Sequence, residues 1–95
     1  MPLITETDIE NYLIKRVKKL GGWCLKIPAI YREGIPDRLV LLPKGKVAFV
    51  ETKRPKGGVV APMQTYNINK LRGLGFKAEV VKNYEEIDKL LEDMR

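Results

Sequence analysis

The segment PDRLVLLPKGKVAFVETK, residues 36–53, decides the fold. Its two apolar stretches predict β-strands over residues 38–42 and 46–53, separated by Pro43-Lys44-Gly45. Proline suits the first central position of a turn, and glycine readily takes the left-handed conformation that a three-residue hairpin loop needs. We therefore expect an antiparallel hairpin with a three-residue loop and a bulge at Gly45.

The length of this loop sets which charged residues meet at the far end of the hairpin. Counting outward from a three-residue loop places Asp37 opposite Glu51, with Lys53 on the same face. A two-residue loop, Lys44-Gly45, would shift the register by one residue and send Asp37 to the other face. The three-residue loop is favoured because it gives proline and glycine each their preferred backbone angles.

Two opposed carboxylates at the end of apolar strands predict a cation between them. Directly opposed Cβ atoms lie only about 5 Å apart, so the acids would repel each other or one would be protonated. The chain has no His and one Cys, so the donors are oxygens, which suit Mg²⁺ or Mn²⁺. Lys53 could orient a water or stabilise developing negative charge. The alternative is a set of solvated residues or a surface ion pair worth about 0–1 kcal/mol.

The composition predicts one globular domain over residues 1–95 with a polyanionic partner. The chain is 44% hydrophobic and 32% charged, which argues against disorder. Its 18 basic and 12 acidic residues give a net charge of +6. This favours nucleic acid as the partner, with an anionic membrane surface second.

The same composition excludes several classes of protein and site. One Cys rules out an intramolecular disulfide, and the lack of His removes the commonest general base and zinc ligand. No apolar stretch approaches the ~20 residues that span a bilayer. The first residues, MPLITETD, carry neither a basic start nor a long apolar stretch, so we expect a cytoplasmic chain.

Capping and spacing signals predict the remaining elements. Thr5 and Asp8 predict the start of a first helix, which Gly21-Gly22 ends, and Asn83 with Glu86 predicts the start of the last. Between them we expect a strand at 23–27, the hairpin, a basic Gly-rich loop, a helix from Pro62 to Gly73 or Gly75, and a strand at 76–81. The order α-β-β-β-α-β-α predicts an α/β fold with a mixed sheet flanked by helices.

The ordered series Glu10, Pro36-Asp37, Glu51-Thr52-Lys53 and Gln64 resembles the PD-(D/E)XK nuclease superfamily. Residues 34–58, followed by APMQ and a helix, are similar to its VRR-NUC branch, in a standalone form of phage or bacterial type. The likeness extends from about Glu6 to Leu91. It implies a restriction-endonuclease-like αβββαβ core with an extra C-terminal helix.

The resemblance implies a role for each matching residue. Asp37 and Glu51 match metal-binding acids, the Thr52 backbone carbonyl matches a further ligand, and Lys53 matches the lysine that positions or activates water. The Thr52 side chain is expected to point away from the site.

Glu10 and Gln64 each have two interpretations. Glu10 matches an acid that completes the metal site, with Glu6 as its substitute, but its spacing from Thr7 also fits a helix cap. Gln64 matches a glutamine that borders the active site, yet it could simply satisfy free N–H groups at the helix start.

Five cations lie close to the site in sequence and are candidates for phosphate contacts: Lys26, Arg32, Arg38, Arg54 and Lys56. Each could instead be a solvated surface residue. Tyr31 could stack on a base, although a packed loop tyrosine is favoured. Trp23 is expected in the core, and Cys24 is expected to be a small buried hydrophobic residue.

The resemblance implies a Mg²⁺- or Mn²⁺-dependent DNA endonuclease that prefers branched substrates such as flaps or four-way (Holliday) junctions. One site cuts one strand, so two cuts imply a homodimer. The alternatives are a non-catalytic nucleic-acid-binding module and a domain whose charge serves solubility. Opposed acids argue against a pure binder, since they would repel DNA.

Overall fold

The computed structural model describes residues 2–95, and in that range the chain forms three α-helices, four strands and two short 3₁₀ helices, Ala29–Tyr31 and Pro43–Gly45. The order α-β-β-β-α-β-α confirms the predicted fold class. The elements are α1 Glu6–Lys19, β1 Trp23–Lys26, β2 Arg38–Leu42, β3 Lys46–Thr52, α2 Pro62–Gly73, β4 Lys77–Val81 and α3 Tyr84–Met94.

Side-chain caps begin the first and last helices where the sequence predicts them. The Thr5 hydroxyl accepts from the Asp8 N–H at 3.1 Å, and the Asp8 carboxylate accepts from the Thr5 N–H at 2.8 Å. Asn83 caps α3 by accepting from the Glu86 N–H at 2.8 Å. Each cap satisfies N–H groups that have no partner inside the helix.

The four strands form one mixed sheet in the order β1-β2-β3-β4. Strands β1, β2 and β3 are antiparallel neighbours, whereas β3 and β4 are parallel and are connected through α2. The Lys53 N–H extends the parallel pairing by donating to the Val81 carbonyl at 3.0 Å. The carboxyl end of β3, which carries the acid and the lysine, is therefore held on both sides.

The hairpin has the predicted three-residue loop. Leu42 pairs with Lys46, and the ladder continues to Arg38 opposite Val50. Gly45 takes the left-handed conformation with φ 72°, as expected, and Lys44 joins it with φ 70°. This register rules out the two-residue alternative and leaves Asp37 and Glu51 as the next opposed positions.

Alternation along the strands separates a thick core from a thinner layer on the other face. Helices α1 and α3 cover the face that carries Val40, Ala48 and Val50, which are fully buried. Helix α2 packs against β4 on the other face, where Ile68 and Ala78 are buried. Within residues 2–95, no helix is both long and apolar enough to span a membrane.

Two predictions about the first strand have different outcomes. Trp23 is exposed, so its predicted place in the core is wrong. It lies on edge strand β1 and on the face opposite α1, whereas α2 covers that face only near β4, at the other edge. Cys24 points the other way and packs half-buried against the core, and burial raises the pKa of its thiol to about 11.

Candidate active site

The two predicted acids meet at the open end of the hairpin. Asp37 directly precedes β2 and lies one position beyond the last ladder pair, which places it across from Glu51 near the end of β3. Glu51 is buried, with only 4% of its surface exposed, and Asp37 is half-buried. The strand ends therefore hold two carboxylates in a largely desolvated position.

Thr52 holds Asp37 with two hydrogen bonds. Its backbone N–H donates to Asp37 Oδ1 at 3.3 Å, and its hydroxyl donates to Asp37 Oδ2 at 3.0 Å. The expectation that the Thr52 side chain points away from the site is therefore wrong. Asp37 lies beyond the ladder, so its carboxylate can turn around the strand end toward the face on which Thr52 is buried.

Burial and a neighbouring negative charge oppose the ionisation of each acid. Burial raises the pKa of Asp37 above its ordinary range, the hydrogen bonds from Thr52 counter this, and the Glu10 charge raises it further. Burial also raises the pKa of Glu51, and the charge of Asp37 adds to that shift, while Lys53 acts against it. A cation bound between the carboxylates would relieve both effects.

Lys53 and Gln64 converge on one oxygen of Glu51. Lys53 Nζ lies 3.2 Å from Glu51 Oε2, and Gln64 Nε2 donates to the same oxygen at 3.1 Å. The other end of the Gln64 amide accepts from the Ala61 N–H at 2.9 Å. Gln64 therefore fits both of its interpretations, because it caps α2 and also orients an acid of the site.

Glu10 reaches the edge of the site from α1, and Arg38 holds it there. Its Oε2 accepts from Arg38 Nε at 3.1 Å and lies 2.9 Å from Arg38 Nη2. Glu10 also contributes to the raised pKa of Asp37, which indicates that their charges interact. Glu10 is thus a site-edge residue in this structure, whereas Glu6 is exposed in the first turn of α1.

The donors fit a hard divalent cation with an incomplete protein shell. Within residues 2–95, no group of three or more His, Cys, Asp or Glu side chains lies at metal-binding spacing. Buried Glu51 and half-buried Asp37 nevertheless form a pair of oxygen donors with raised pKa values. Mg²⁺ commonly binds through one or two carboxylates and keeps several waters or phosphate oxygens, so two carboxylates match the number of protein ligands that it usually takes.

The loop after β3 folds back onto the site lysine. The Arg54 guanidinium donates to the Lys56 and Gly57 carbonyls at 3.0 and 3.2 Å, while the Lys56 side chain is exposed. A Cβ atom on Gly58 would lie 3.1 Å from Lys53 Cβ and 2.5 Å from the Arg54 carbonyl oxygen. Glycine at position 58 thus permits this loop to pack against Lys53.

The loop between β1 and β2 is tied to α2 by a residue that sequence reasoning missed. Asn67 is buried, accepts from Arg32 Nε at 2.9 Å, and donates to the Glu33 carbonyl at 2.8 Å. It follows Gln64 by three residues, so both amides lie on one side of the helix. The spacing of these two amide residues on α2 could have predicted that Asn67 faces the same side of the helix as Gln64.

The five predicted phosphate contacts occupy different surroundings. Four of them are exposed: Lys26, Arg32, Arg54 and Lys56. Of these, Arg32 and Arg54 also donate hydrogen bonds within the protein. Arg38 is not on the open surface, since its side chain is 12% exposed and pairs with Glu10. Arg32, Arg54 and Lys56 thus lie on loops, Lys26 ends strand β1, and Arg38 lies inside the fold.

The protein resembles a phage protein along most of its length. It is 41% identical over 85 residues to "Putative nuclease p44" of Acyrthosiphon pisum secondary endosymbiont phage 1, which covers 90% of each chain. No protein-family model matches the sequence.

Two solved structures share the fold. One, described as "VRR_NUC domain", superposes with a TM-score of 0.86 at 33% identity, over 95% of this chain and 97% of that chain. The other, "VRR_NUC domain protein", has a TM-score of 0.79 at 17% identity and covers 99% of this chain and 90% of its own. At that lower identity the second likeness supports the fold alone.

Proposed function

Because the chain belongs to the VRR-NUC family of nucleases, we propose that it is a metal-dependent endonuclease that hydrolyses phosphodiester bonds in DNA. The observation that carries the proposal is the acid pair of buried Glu51 and half-buried Asp37, with Lys53 Nζ 3.2 Å from Glu51. A domain that only bound DNA would gain nothing from desolvated carboxylates next to a phosphate.

In the proposed site, Asp37, Glu51 and the Thr52 carbonyl, with Glu10 at the edge, would hold Mg²⁺ or Mn²⁺. When bound, such an ion neutralises the acids and stabilises negative charge on the phosphate. Thr52 fixes the orientation of Asp37 through its hydroxyl and N–H, and Gln64 fixes Glu51.

Lys53 is proposed to act at the attacking water. Its ammonium group is a compact cation with three donors, held next to Glu51 at the end of β3. From this position it can orient a water and stabilise the charge that develops as the water oxygen bonds to phosphorus. The P–O bond to one sugar oxygen then breaks, and overall a proton moves from the water to that leaving oxygen. Gly58 keeps the following loop packed against the lysine, which limits where its side chain can go.

The substrate proposed is branched DNA, such as a flap or a four-way junction, and the active form proposed is a homodimer. One site per chain cuts one strand, so paired cuts on opposite strands call for two copies. Sedimentation equilibrium of the purified protein tests the homodimer. A monomer at concentrations that support cleavage would contradict it.

The deciding experiment is cleavage of labelled duplex, single-stranded, flap and four-way-junction DNA, with and without Mg²⁺ or Mn²⁺. Lys53→Ala should abolish cleavage, whereas Lys46→Ala should not, because Lys46 is exposed at the opposite end of the same strand. Salt-sensitive DNA binding without metal-dependent cleavage of any substrate would instead show a binding module. Equal cleavage by both variants would reveal a contaminating nuclease.

A further inference from the structure

The most exposed large apolar side chains of the described residues lie on the loop between β1 and β2, which precedes Asp37. Ile30 is 89% exposed and Tyr31 is 77% exposed, and we call these two residues the loop tip. Their exposure also shows that the predicted packing of Tyr31 within its loop is wrong. A solvated isoleucine and tyrosine side by side mark a candidate contact surface, because burying them would be favourable.

The base of this loop is part of the site itself. The Ile27 N–H donates to the Asp37 carbonyl at 2.8 Å, which closes the loop directly at the metal-binding acid. Its other side is fixed by Asn67, through Arg32 and the Glu33 carbonyl. The loop tip is thus carried on a short segment that is anchored at the Asp37 backbone on one side and at α2 on the other.

A third exposed apolar residue lies on the loop that follows β3. Val59 is 76% exposed and directly follows Gly58, the residue that packs against Lys53. One loop is therefore closed at Asp37 and the other packs against Lys53, and each carries an exposed apolar side chain. Lys26 and Arg32 accompany the first loop, and Arg54 and Lys56 accompany the second.

Apolar and aromatic side chains interleaved with cations suit unpaired nucleotides better than paired ones. Single strands bind where bases stack on aromatic faces and phosphates lie against basic residues. In a continuous duplex the base faces are covered by their neighbours, so only the backbone would be available to such a surface.

We propose that the loop tip, Ile30 and Tyr31, contacts unstacked bases beside the phosphate to be cut, so that the substrate must present unpaired nucleotides there. This inference rests on the proposed nuclease function and gives it a physical basis for choosing branched over continuous DNA. Tyr31 supplies the stacking face, and Ile30 supplies an apolar wedge against the next base step.

The test compares the double variant Ile30→Ser/Tyr31→Ser with the unaltered protein in EDTA, where no cleavage occurs. Affinity for a single strand carrying a fluorescent purine analogue should fall about fivefold or more, while affinity for blunt duplex of the same sequence stays unchanged. Tyr31→Phe should keep the affinity and the fluorescence change, because it retains the ring.

Leu74→Ala is the matched control. Leu74 is 62% exposed but follows the far end of α2, about 15 Å along the helix from Gln64. This variant should bind every DNA as the unaltered protein does. Both altered residues of the loop tip are solvated, so thermal unfolding should be the same for all variants.

The outcomes separate this inference from the proposed function. If the unaltered protein cleaves DNA and the double variant binds and cleaves every substrate equally well, the loop-tip contact is wrong and the nuclease proposal stands. If nothing is cleaved but the single-strand affinity still falls, the nuclease proposal is wrong and the contact stands. If the double variant changes only the sedimentation mass, the loop tip contacts a second copy and the inference is overturned.

Discussion

Thr52 donates a hydrogen bond to each carboxylate oxygen of Asp37, from its N–H to Oδ1 at 3.3 Å and from its hydroxyl to Oδ2 at 3.0 Å. Thr52 stands between Glu51 and Lys53, so three consecutive residues at the end of β3 serve the same acid site. Glu51 and Lys53 contact each other directly, and Thr52 holds Asp37, which directly precedes the neighbouring strand. The orientation of Asp37 is therefore fixed from β3 and not from its own strand.

Thr52→Val should weaken divalent-ion binding and cleavage about tenfold, because it removes the hydroxyl donor while keeping the shape of the side chain. Thr52→Ser should retain most of both. Calorimetric titration with Ca²⁺ or Mn²⁺ measures the binding, and cleavage rates measure the activity. Thr7→Val, on the exposed first turn of α1, is the control and should change neither. Unaltered ion affinity in Thr52→Val would show that the hydroxyl does not position Asp37.

Glu51→Gln should stabilise the metal-free protein at neutral pH while abolishing cleavage. Burial and the charge of Asp37 raise the pKa of Glu51, so between the unfolded-state and native pKa values the native state holds a proton that the unfolded chain has released. Stability is consequently lost as pH rises through the unfolded-state pKa toward the native one, and the loss is complete above both. Glutamine carries no charge and can still accept from Gln64 and Lys53.

Thermal unfolding in EDTA across pH tests this expectation. The melting temperature of Glu51→Gln should exceed that of the unaltered protein at neutral pH, and the gap should close as pH falls below the unfolded-state pKa. Glu79→Gln is the control, because Glu79 forms a partly exposed ion pair with Arg72, worth about 0–1 kcal/mol. A lower melting temperature for Glu51→Gln at neutral pH would mean that the pair with Lys53 outweighs the cost of burial.

Backbone-determined features of this chain could be predicted from its sequence. Pro43 and Gly45 set the loop length, the loop length set the register, and the register placed Asp37 across from Glu51. The cap formed by Thr5 and Asp8 likewise depends on a spacing of three residues. Each of these features is local in sequence, so turn and capping chemistry determine it.

Side-chain partners and exposure were harder to predict, because they depend on how distant elements approach. Arg38 directly follows the site aspartate, and its position in the sequence predicted a phosphate contact. In the structure, α1 places Glu10 next to Arg38, and the two side chains form an ion pair. Trp23 was predicted to lie in the core because tryptophan is apolar. It is exposed instead, because β1 lies at the sheet edge that α2 does not reach. Thr52 contacts Asp37 only because that acid lies beyond the ladder.

Gly58→Ala should slow cleavage by disturbing Lys53. The added methyl group would lie 2.5 Å from the Arg54 carbonyl oxygen and 3.1 Å from Lys53 Cβ, so the loop must move away from the lysine. We expect a fall in kcat of about tenfold or more, since small displacements of catalytic groups are costly.

Gly73→Ala provides the comparison for that variant. Gly73 lies at the end of α2, and a Cβ there would meet no atom within 4 Å. This change should leave cleavage unaltered and add up to about 1 kcal/mol to the free energy of unfolding, because alanine favours the helix. Single-turnover cleavage rates and urea unfolding measure the two effects. A Gly58→Ala protein with normal kcat would show that the loop does not constrain Lys53.

Arg38 and Lys56 should differ in the way that their removal affects DNA binding. Arg38 is 12% exposed and pairs with Glu10, so Arg38→Gln should lower the free energy of unfolding by about 1–3 kcal/mol without changing the salt dependence of DNA binding. Lys56 is exposed on the loop beside the site, and Lys56→Gln should leave stability unaltered. If Lys56 contacts a phosphate, its loss should reduce the slope of log affinity against log salt by about one.

Urea unfolding and fluorescence anisotropy at several salt concentrations provide both measurements. A reduced salt slope in Arg38→Gln at unchanged stability would restore Arg38 as a phosphate contact and make its pairing with Glu10 a feature of the DNA-free protein.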